Sequence, residues 1–298
     1  MKIGSVAWGW TPVPEDMPSG DSLEIIAKKV KGLGFDFIDY LCDRKSLDGY
    51  FTESVCERIK NTVSGLGMWV NGLAFQSDEW NNPDEKASAL QFDYLEKILK
   101  TAGYLGAKTI SCIIPGPFGA KPSPRPSPSD KIASNLPSDY SWLKDWELFA
   151  GHMKKAAKLA AGHDIRIALE CFPRSLCSTP DAMLSLLRAV DEKNFGIQLD
   201  TAHLMNQNID IETAVFMLGG RNIFHVHAKD SDAMVRSNLA PGCGLVDYTA
   251  FFKALAAAGY TGHVSVEVEF TADPGQYMEM GLAHVRRCLK EAGMANLG

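Results

Sequence analysis

The chain has 298 residues, of which 46% are hydrophobic and 22% are charged, and its formal net charge at pH 7 is −6. A chain of this length can bury a sizeable core, and a single α/β barrel often has this size. The acidic balance argues against nucleic acid or an anionic membrane as a partner. Charged residues or glycines interrupt every apolar run within about ten residues, which is too short for a membrane span.

The seven cysteines are scattered along the chain and form no CxxC pair. This pattern is typical of buried thiols in a reducing compartment, and it argues against a disulfide framework or a zinc ribbon. Residues 1–10 lack the long apolar core and the cleavage site of a secretory signal. We therefore expect a cytoplasmic protein.

Short apolar runs alternate with amphipathic patterns along the whole chain. The runs predict eight strands, at residues 3–8, 35–41, 69–75, 109–115, 165–172, 195–201, 223–228 and 264–270. The amphipathic patterns predict helices at residues 22–33, 52–66, 84–105, 142–161, 180–190, 211–218, 248–258 and 274–292. Several of these helices end in glycine just before the next strand, as in residues 32–35 and 257–260.

Eight successive strand–helix units predict an α/β fold, a single (β/α)8 TIM barrel that forms one domain over residues 1–298. The alternative is a doubly wound open sheet. A sheet of that type that binds dinucleotides has a glycine-rich loop after its first strand, whereas residues 8–10 here read Trp-Gly-Trp. The sequence therefore favours the barrel.

A charged or polar residue closes the apolar run at the end of each of the last four predicted strands: Glu170, Asp200, His227 and Glu267. A charge at the end of an apolar strand is costly unless something pairs with it. The C-terminal ends of barrel strands form the functional face, so the four side chains are expected to lie together. Three carboxylates and an imidazole suit a hard to borderline divalent cation. We therefore expect a metal-centred active site.

A proline-rich loop is predicted at residues 115–140, between the fourth strand and its helix. Residues 115–137 contain seven of the fifteen prolines of the chain. A long loop on the active-site face is usually a lid or a binding surface. An ordered surface segment or an oligomer contact is the equally weighted alternative.

Five motifs resemble the sugar phosphate isomerase/epimerase family, the xylose isomerase-like barrels. They are ALE at 168–170, LDTAH at 199–203, HVHAKD at 225–230, PGCGLVDY at 241–248 and GYTGHVSVEVE at 259–269. The resemblance implies that Glu170, Asp200, His227 and Glu267 bind one divalent metal ion, most often Mn2+, with Mg2+ or Co2+ as alternatives. It also implies that His203 contacts the substrate. Relatives in the family are often dimers or tetramers, so the resemblance leaves both a homo-oligomer and a monomer open.

The chemistry that follows is proton transfer beside a carbonyl. A cation polarises the carbonyl of a ketose or keto-sugar and stabilises the enediolate that is left after proton removal. Glu170 and Glu267 are the expected catalytic acid and base, acting from opposite sides of one carbon, which would give isomerisation or epimerisation. His203 is expected to donate to the developing oxyanion or, alternatively, to contact a metal ligand.

The expected substrate contacts are Trp8, His203, Arg236 and Glu269, with a small carbohydrate as the partner. Trp8 would supply an apolar wall. His225 is expected inside the barrel, or else as the ligand in place of His227. Lys229 and Asp230 would either polarise the site or form a solvated ion pair.

Two positions depart from ketohexose epimerases of the family. Those enzymes carry a substrate-binding carboxylate where this chain has Leu176, and an arginine where it has Ala233. Arg236 is close enough in sequence to replace that arginine. The departures weaken the expectation of free-ketohexose epimerisation and leave the metal site unaffected.

Two alternative functions remain. The same enediolate could expel a leaving group, which would make the chain a lyase or dehydratase acting on an inosose or a 3-keto-glycoside, including C-glycosides. A remote alternative is a DNA-repair enzyme that resembles apurinic endonucleases, which share the barrel. Their three-zinc cluster needs histidines on early strands, and this chain has none before His152.

Overall fold

Eight parallel strands close into one barrel in the computed structural model, which describes residues 1–10, 22–75, 79–122, 134–234, 238–269 and 271–295. Numbered in chain order, the barrel strands are β1 (Ile3–Val6), β2 (Phe37–Cys42), β3 (Trp69–Phe75), β4 (Thr109–Ile113), β5 (Arg166–Glu170), β6 (Phe195–Asp200), β7 (Ile223–Ala228) and β8 (Val264–Val266). The ring closes between β1 and β8, where Ile3 pairs with Val264. The prediction of a single (β/α)8 TIM barrel is confirmed.

Helices follow the strands and form the outer layer. They are α1 (Ser22–Leu33), α2 (Arg44–Gly49), α3 (Glu53–Gly65), α4 (Glu85–Leu105), α5 (Trp142–Ala161), α6 (Pro180–Val190), α7 (Thr201–Met205), α8 (Ile211–Leu218), α9 (Tyr248–Ala257) and α10 (Pro274–Glu291). None of the described helices has both the length and the apolar character needed to cross a bilayer. The predicted bounds of α1, α5, α6 and α8 agree with the structure.

The two short helices, α2 and α7, were not predicted. A helix of one or two turns shows too little hydrophobic periodicity to be recognised, so local capping has to define it. At α2, the Asp43 carboxylate accepts a hydrogen bond from the Ser46 N–H at 2.6 Å, and the Ser46 hydroxyl accepts one from the Asp43 N–H. This reciprocal arrangement satisfies backbone donors that a short helix leaves exposed.

Several predicted strands extend beyond the observed pairing. The run predicted at 264–270 forms a strand over Val264–Val266, with residues 267–269 outside it and residue 270 outside the described part, and the strand predicted at 3–8 ends at Val6. Residues Trp8–Trp10 instead form a 3-10 turn. Glu267 therefore follows β8 directly, with its N–H donating to the Ala228 carbonyl at 3.0 Å. An apolar run predicts which residues are buried. At these strand ends the residues stay buried after the hydrogen bonds between the strands have stopped.

The proline-rich loop at residues 115–140 is described at its two ends, and residues 123–133 lie outside the described part. Lys121–Pro122 and Ser134–Asn135 pair as a short antiparallel ribbon. The Asp145 carboxylate, at the start of α5, accepts hydrogen bonds from the Phe118 N–H at 2.8 Å and the Tyr140 hydroxyl at 2.9 Å. One buried carboxylate thus joins the segments that enter and leave the loop. Its role as a lid or a contact surface stays a prediction.

Candidate metal centre

The four predicted ligands meet at one end of the barrel. Glu170, Asp200, His227 and Glu267 each offer one ligand atom, and these atoms all lie within 4.8 Å of one another. The His227 Nδ1 atom lies 2.5 Å from Glu267 Oε2 and 3.6 Å from Glu170 Oε1. All four residues are buried. The structure brings these residues together, while their role as ligands stays a prediction.

The donor atoms of this cluster fit a divalent cation. The Asp200 Oδ2 and Glu267 Oε2 atoms are buried and accept no hydrogen bond. The two oxygens lie 3.1 Å from Lys229 Nζ and 2.5 Å from His227 Nδ1, respectively. A buried carboxylate oxygen that accepts no hydrogen bond costs free energy, and a bound cation would reduce that cost. Three carboxylates and one imidazole are also the oxygen-rich donor set that Mg2+, Mn2+ or a similar ion prefers.

Asp200 is oriented by the helix that it caps. Its Oδ1 atom accepts a hydrogen bond from the His203 N–H at 3.0 Å at the start of α7. The LDTAH sequence therefore folds so that one carboxylate oxygen caps α7 while Oδ2 remains directed at the cluster. The Thr201 hydroxyl donates to the Lys229 carbonyl at 2.7 Å and ties β6 to β7.

Glu267 is oriented by two donors. Its Oε1 atom accepts from Lys229 Nζ at 3.0 Å and from Trp8 Nε1 at 3.3 Å. The Trp8 ring centroid lies 5.9 Å from that of His227. Trp8 was predicted to contact the substrate; the structure places its N–H on a predicted ligand, where it helps to fix the carboxylate.

Lys229 is part of the cluster. Its Nζ atom lies 3.1 Å from Asp200 Oδ2, 3.0 Å from Glu267 Oε1 and 3.7 Å from Glu269 Oε2. The side chain is only 3% exposed, so the expectation of a solvated ion pair is wrong for this residue. Lys229 is two residues after His227, and strand alternation places both side chains on the same face.

The charges of the cluster shift several pKa values. Burial would raise the pKa of Glu267, but Lys229 and His227 hold it well below its usual range. Burial would lower the pKa of His227, but Glu267 and Glu170 raise it well above the usual value. Burial raises the pKa of Asp200 against the attraction of Lys229. The carboxylates of this pocket and the cationic Lys229 and His227 side chains thus stabilise each other's charged forms.

His203 lies beside the cluster. Its Nε2 atom is 3.6 Å from Asp200 Oδ2 and 3.8 Å from Glu170 Oε1, and it makes no hydrogen bond. Burial lowers the pKa of His203 to about 3, which keeps the imidazole neutral. The Phe172 ring packs on it at 4.3 Å between centroids and is 39% exposed. The predicted catalytic histidine is thus next to the predicted ligands, below a partly exposed aromatic ring.

The other predicted contacts have different positions. Glu269 lies above Lys229 with its side chain 17% exposed, and burial raises its pKa to about 7. Arg236 lies outside the described residues. Leu176, at the position where ketohexose epimerases carry a carboxylate, is buried at 4% exposure.

His225 lies inside the barrel, below the cluster. Its Nε2 atom is 3.1 Å from Asp39 Oδ2 and 3.2 Å from the Ser265 hydroxyl, and its ring centroid is 5.2 Å from that of His227. The prediction of an inner-barrel histidine agrees with this position. Asp39 was not predicted, although an aspartate within the apolar run 35–41 is a signal that could have identified it.

Comparison with known proteins identifies the family and several relatives. Residues 27–288, well over half of the chain, match the family described as xylose isomerase-like TIM barrels. D-psicose 3-epimerase of Ruminiclostridium cellulolyticum is 29% identical over 253 residues, which cover 80% of this chain and 76% of that protein. Inosose dehydratase of Clostridium botulinum is 26% identical over 165 residues, 48% of this chain and about half (54%) of that protein.

The fold is also that of solved structures. The 3-keto-D-glucoside 4-epimerase of E. coli superposes with a TM-score of 0.76 at 22% identity, covering 97% of this chain and 100% of that one. At this level of identity the likeness supports the fold alone.

Proposed function

The chain belongs to the family of xylose isomerase-like TIM barrels, and on that premise we propose that it is a divalent-metal-dependent isomerase or epimerase of a ketose or keto-sugar. One observation carries the proposal. Glu170 on β5 and Glu267 after β8 face a common point, with Asp200 and His227 between them. Two carboxylates separated in this way can reach one substrate carbon from two sides.

Proton transfer is the chemistry that this arrangement supports. A bound divalent cation would withdraw electron density from the substrate carbonyl and so acidify the adjacent C–H group. Glu170 then removes the proton, because its described ion-pair contacts are only with the His203 and His227 imidazoles. A second proton, taken up from solvent, would pass through Glu267, which Lys229 and Trp8 hold in place, to the opposite face or to the neighbouring carbon. Positioned proton transfer of this kind typically contributes about 10²–10⁴-fold to the rate.

His203 is the proposed donor to the substrate oxygen. A neutral imidazole that carries its proton on Nε2 can donate a hydrogen bond to a developing oxyanion. The buried and unpaired Nε2 atom, beside Glu170 and Asp200, supports this role. Phe172, packed on the imidazole and partly exposed, would form an apolar wall over the substrate.

The remaining parts of the proposal concern the ion and the surroundings. We propose Mn2+ as the metal, with Mg2+ or Co2+ as alternatives, because oxygen donors dominate the cluster. The substrate is a small carbohydrate, for which the similarity to D-psicose 3-epimerase is the main support. A cytoplasmic homo-oligomer that binds neither nucleic acid nor membrane completes the proposal.

A lyase or dehydratase is the second candidate. Its support is the similarity to inosose dehydratase and the buried, apolar Leu176 at the position where ketohexose epimerases carry a carboxylate. Without that carboxylate, the site lacks one polar contact to a free ketohexose. The same proton removal would then be followed by loss of a leaving group from the β-carbon.

One experiment separates the two reactions. The Mn2+-loaded protein is incubated in D2O with free ketoses, inososes and 3-keto-glycosides, and followed by NMR. Deuterium in a ketose together with its epimer or isomer supports the first reaction. Water or an aglycone released from a keto-substrate, with ketoses untouched, supports the second. The Glu170→Gln variant is the control, and product formation at the wild-type rate in that variant would contradict both.

A further inference from the structure

Lys229 is a buried ammonium group within a cluster of carboxylates. It contacts both Asp200 and Glu267 at about hydrogen-bond distance, with Glu269 slightly farther away. Burying an ammonium is costly unless anions pair with it, and removing it would leave those anions unpaired. The packing alone offers no reason for a lysine at this position, because a methionine would fill similar volume without a charge.

The charges of the proposed metal centre supply a reason. Glu170, Asp200 and Glu267 carry three negative charges when they are ionised. A divalent cation neutralises two of these charges and leaves one. The Lys229 ammonium, in contact with two of the same carboxylates, neutralises the remaining one. The three carboxylates, the ion and the ammonium then balance, which avoids the cost of an uncompensated buried charge; Glu269, farther from Lys229 and partly exposed, is not part of this count.

We propose that Lys229 is a positioning residue and the fixed counter-charge of the metal centre, which orients Glu267 and Asp200 and limits the affinity of the site for divalent cations. This inference rests on the proposed metal dependence. Lys229 holds the Oε1 atom of Glu267 and leaves Oε2, which accepts no hydrogen bond, directed at His227 Nδ1. The ammonium therefore selects the oxygen that faces the cluster.

The direction of the effect follows from electrostatics. The ammonium repels a cation bound a few ångströms away, and this repulsion is large at a buried site. The attraction of the ammonium to Asp200 and Glu267 is present with and without the ion, so it does not set the direction. Removing the charge is therefore expected to make cation binding tighter.

The test is Mn2+ titration calorimetry on the wild-type protein and the Lys229→Met, Lys229→Gln and Lys229→Arg variants. We expect the two uncharged variants to bind Mn2+ about tenfold or more tightly than the wild type, since a buried charge interaction of this kind exceeds RT several times. Lys229→Arg keeps the charge and is expected to stay close to the wild-type affinity. Lys97→Met removes an exposed lysine that pairs with Asp48 and is the matched control, with unchanged affinity.

The outcomes distinguish this inference from the proposed function. If the wild type binds no divalent cation, the metal dependence fails and the inference fails with it. If the wild type binds Mn2+ and neither uncharged variant binds it more tightly, the inference alone is wrong. Lys229→Gln retains a hydrogen-bond donor for Glu267, so it provides the comparison if the methionine variant does not fold.

Discussion

Asp200 caps the short helix that carries His203, with its Oδ1 atom accepting a hydrogen bond from the His203 N–H at 3.0 Å. The other oxygen, Oδ2, faces Lys229 and the predicted ligands. One side chain therefore caps the helix that carries the predicted catalytic imidazole and contributes to the proposed metal centre. The two functions can be separated by substitution, because an amide retains an oxygen for the cap and loses the charge.

We expect Asp200→Asn to retain the cap of α7. Because it removes the charge of a proposed ligand, it should weaken Mn2+ binding more than the loss of a residue that only contacts a ligand, which typically costs about 10–100-fold in affinity. Asp200→Ala loses the cap as well, which costs about 1 kcal/mol of folding stability in addition. Calorimetric Mn2+ titration and urea unfolding of both variants measure the two effects. Equal unfolding midpoints for the two variants would show that the cap contributes nothing.

Glu170→Gln and Glu267→Gln should each abolish turnover while the fold stays intact. Each substitution removes one carboxylate from the proposed proton transfer, a step worth about 10²–10⁴-fold in rate. Solvent deuterium exchange into the substrate measures the loss, and circular dichroism with thermal unfolding checks the fold. Near-wild-type turnover in either variant would mean that two-base proton transfer is wrong.

A bound divalent cation should stabilise the fold. Buried carboxylate oxygens without hydrogen bonds favour the loaded protein, and binding to the native state alone adds about 2.7 kcal/mol when the free ion is at 100 times its Kd. We expect Mn2+ to raise the Tm and EDTA to lower it. A Glu170→Gln variant, which lacks one ligand charge, should show a smaller rise; an equal rise would place the ion elsewhere.

Asp145 should be important for stability. Its carboxylate accepts hydrogen bonds from Asn81 Nδ2, the Phe118 N–H and the Tyr140 hydroxyl. Asp145→Ala removes all three hydrogen bonds, and each is expected to cost about 0.5–1.5 kcal/mol. Tyr140→Phe removes a single hydrogen bond and is the graded control, with an expected loss of about 0.5–1.5 kcal/mol. Urea unfolding measures both, and a larger loss for Tyr140→Phe would contradict this assignment.

The residues at strand ends could be identified from the sequence, whereas several of their partners could not. Glu170, Asp200, His227 and Glu267 each end an apolar run, and the barrel geometry then brings them together. The contact between Trp8 and Glu267 joins residues 259 positions apart, and that between Asp39 and His225 joins residues 186 positions apart. No local pattern encodes such contacts. The burial of Lys229 could not be predicted from the sequence either, because the same residues are compatible with a solvated ion pair.

Closure of the ring has a consequence for the order of assembly. β1 pairs with β8, and Trp8 holds the Glu267 carboxylate across that seam. A nascent chain that has not yet emerged beyond Glu267 lacks both the last strand and one of the four clustered ligands. Ion binding at the proposed metal centre would therefore require that the ring has closed.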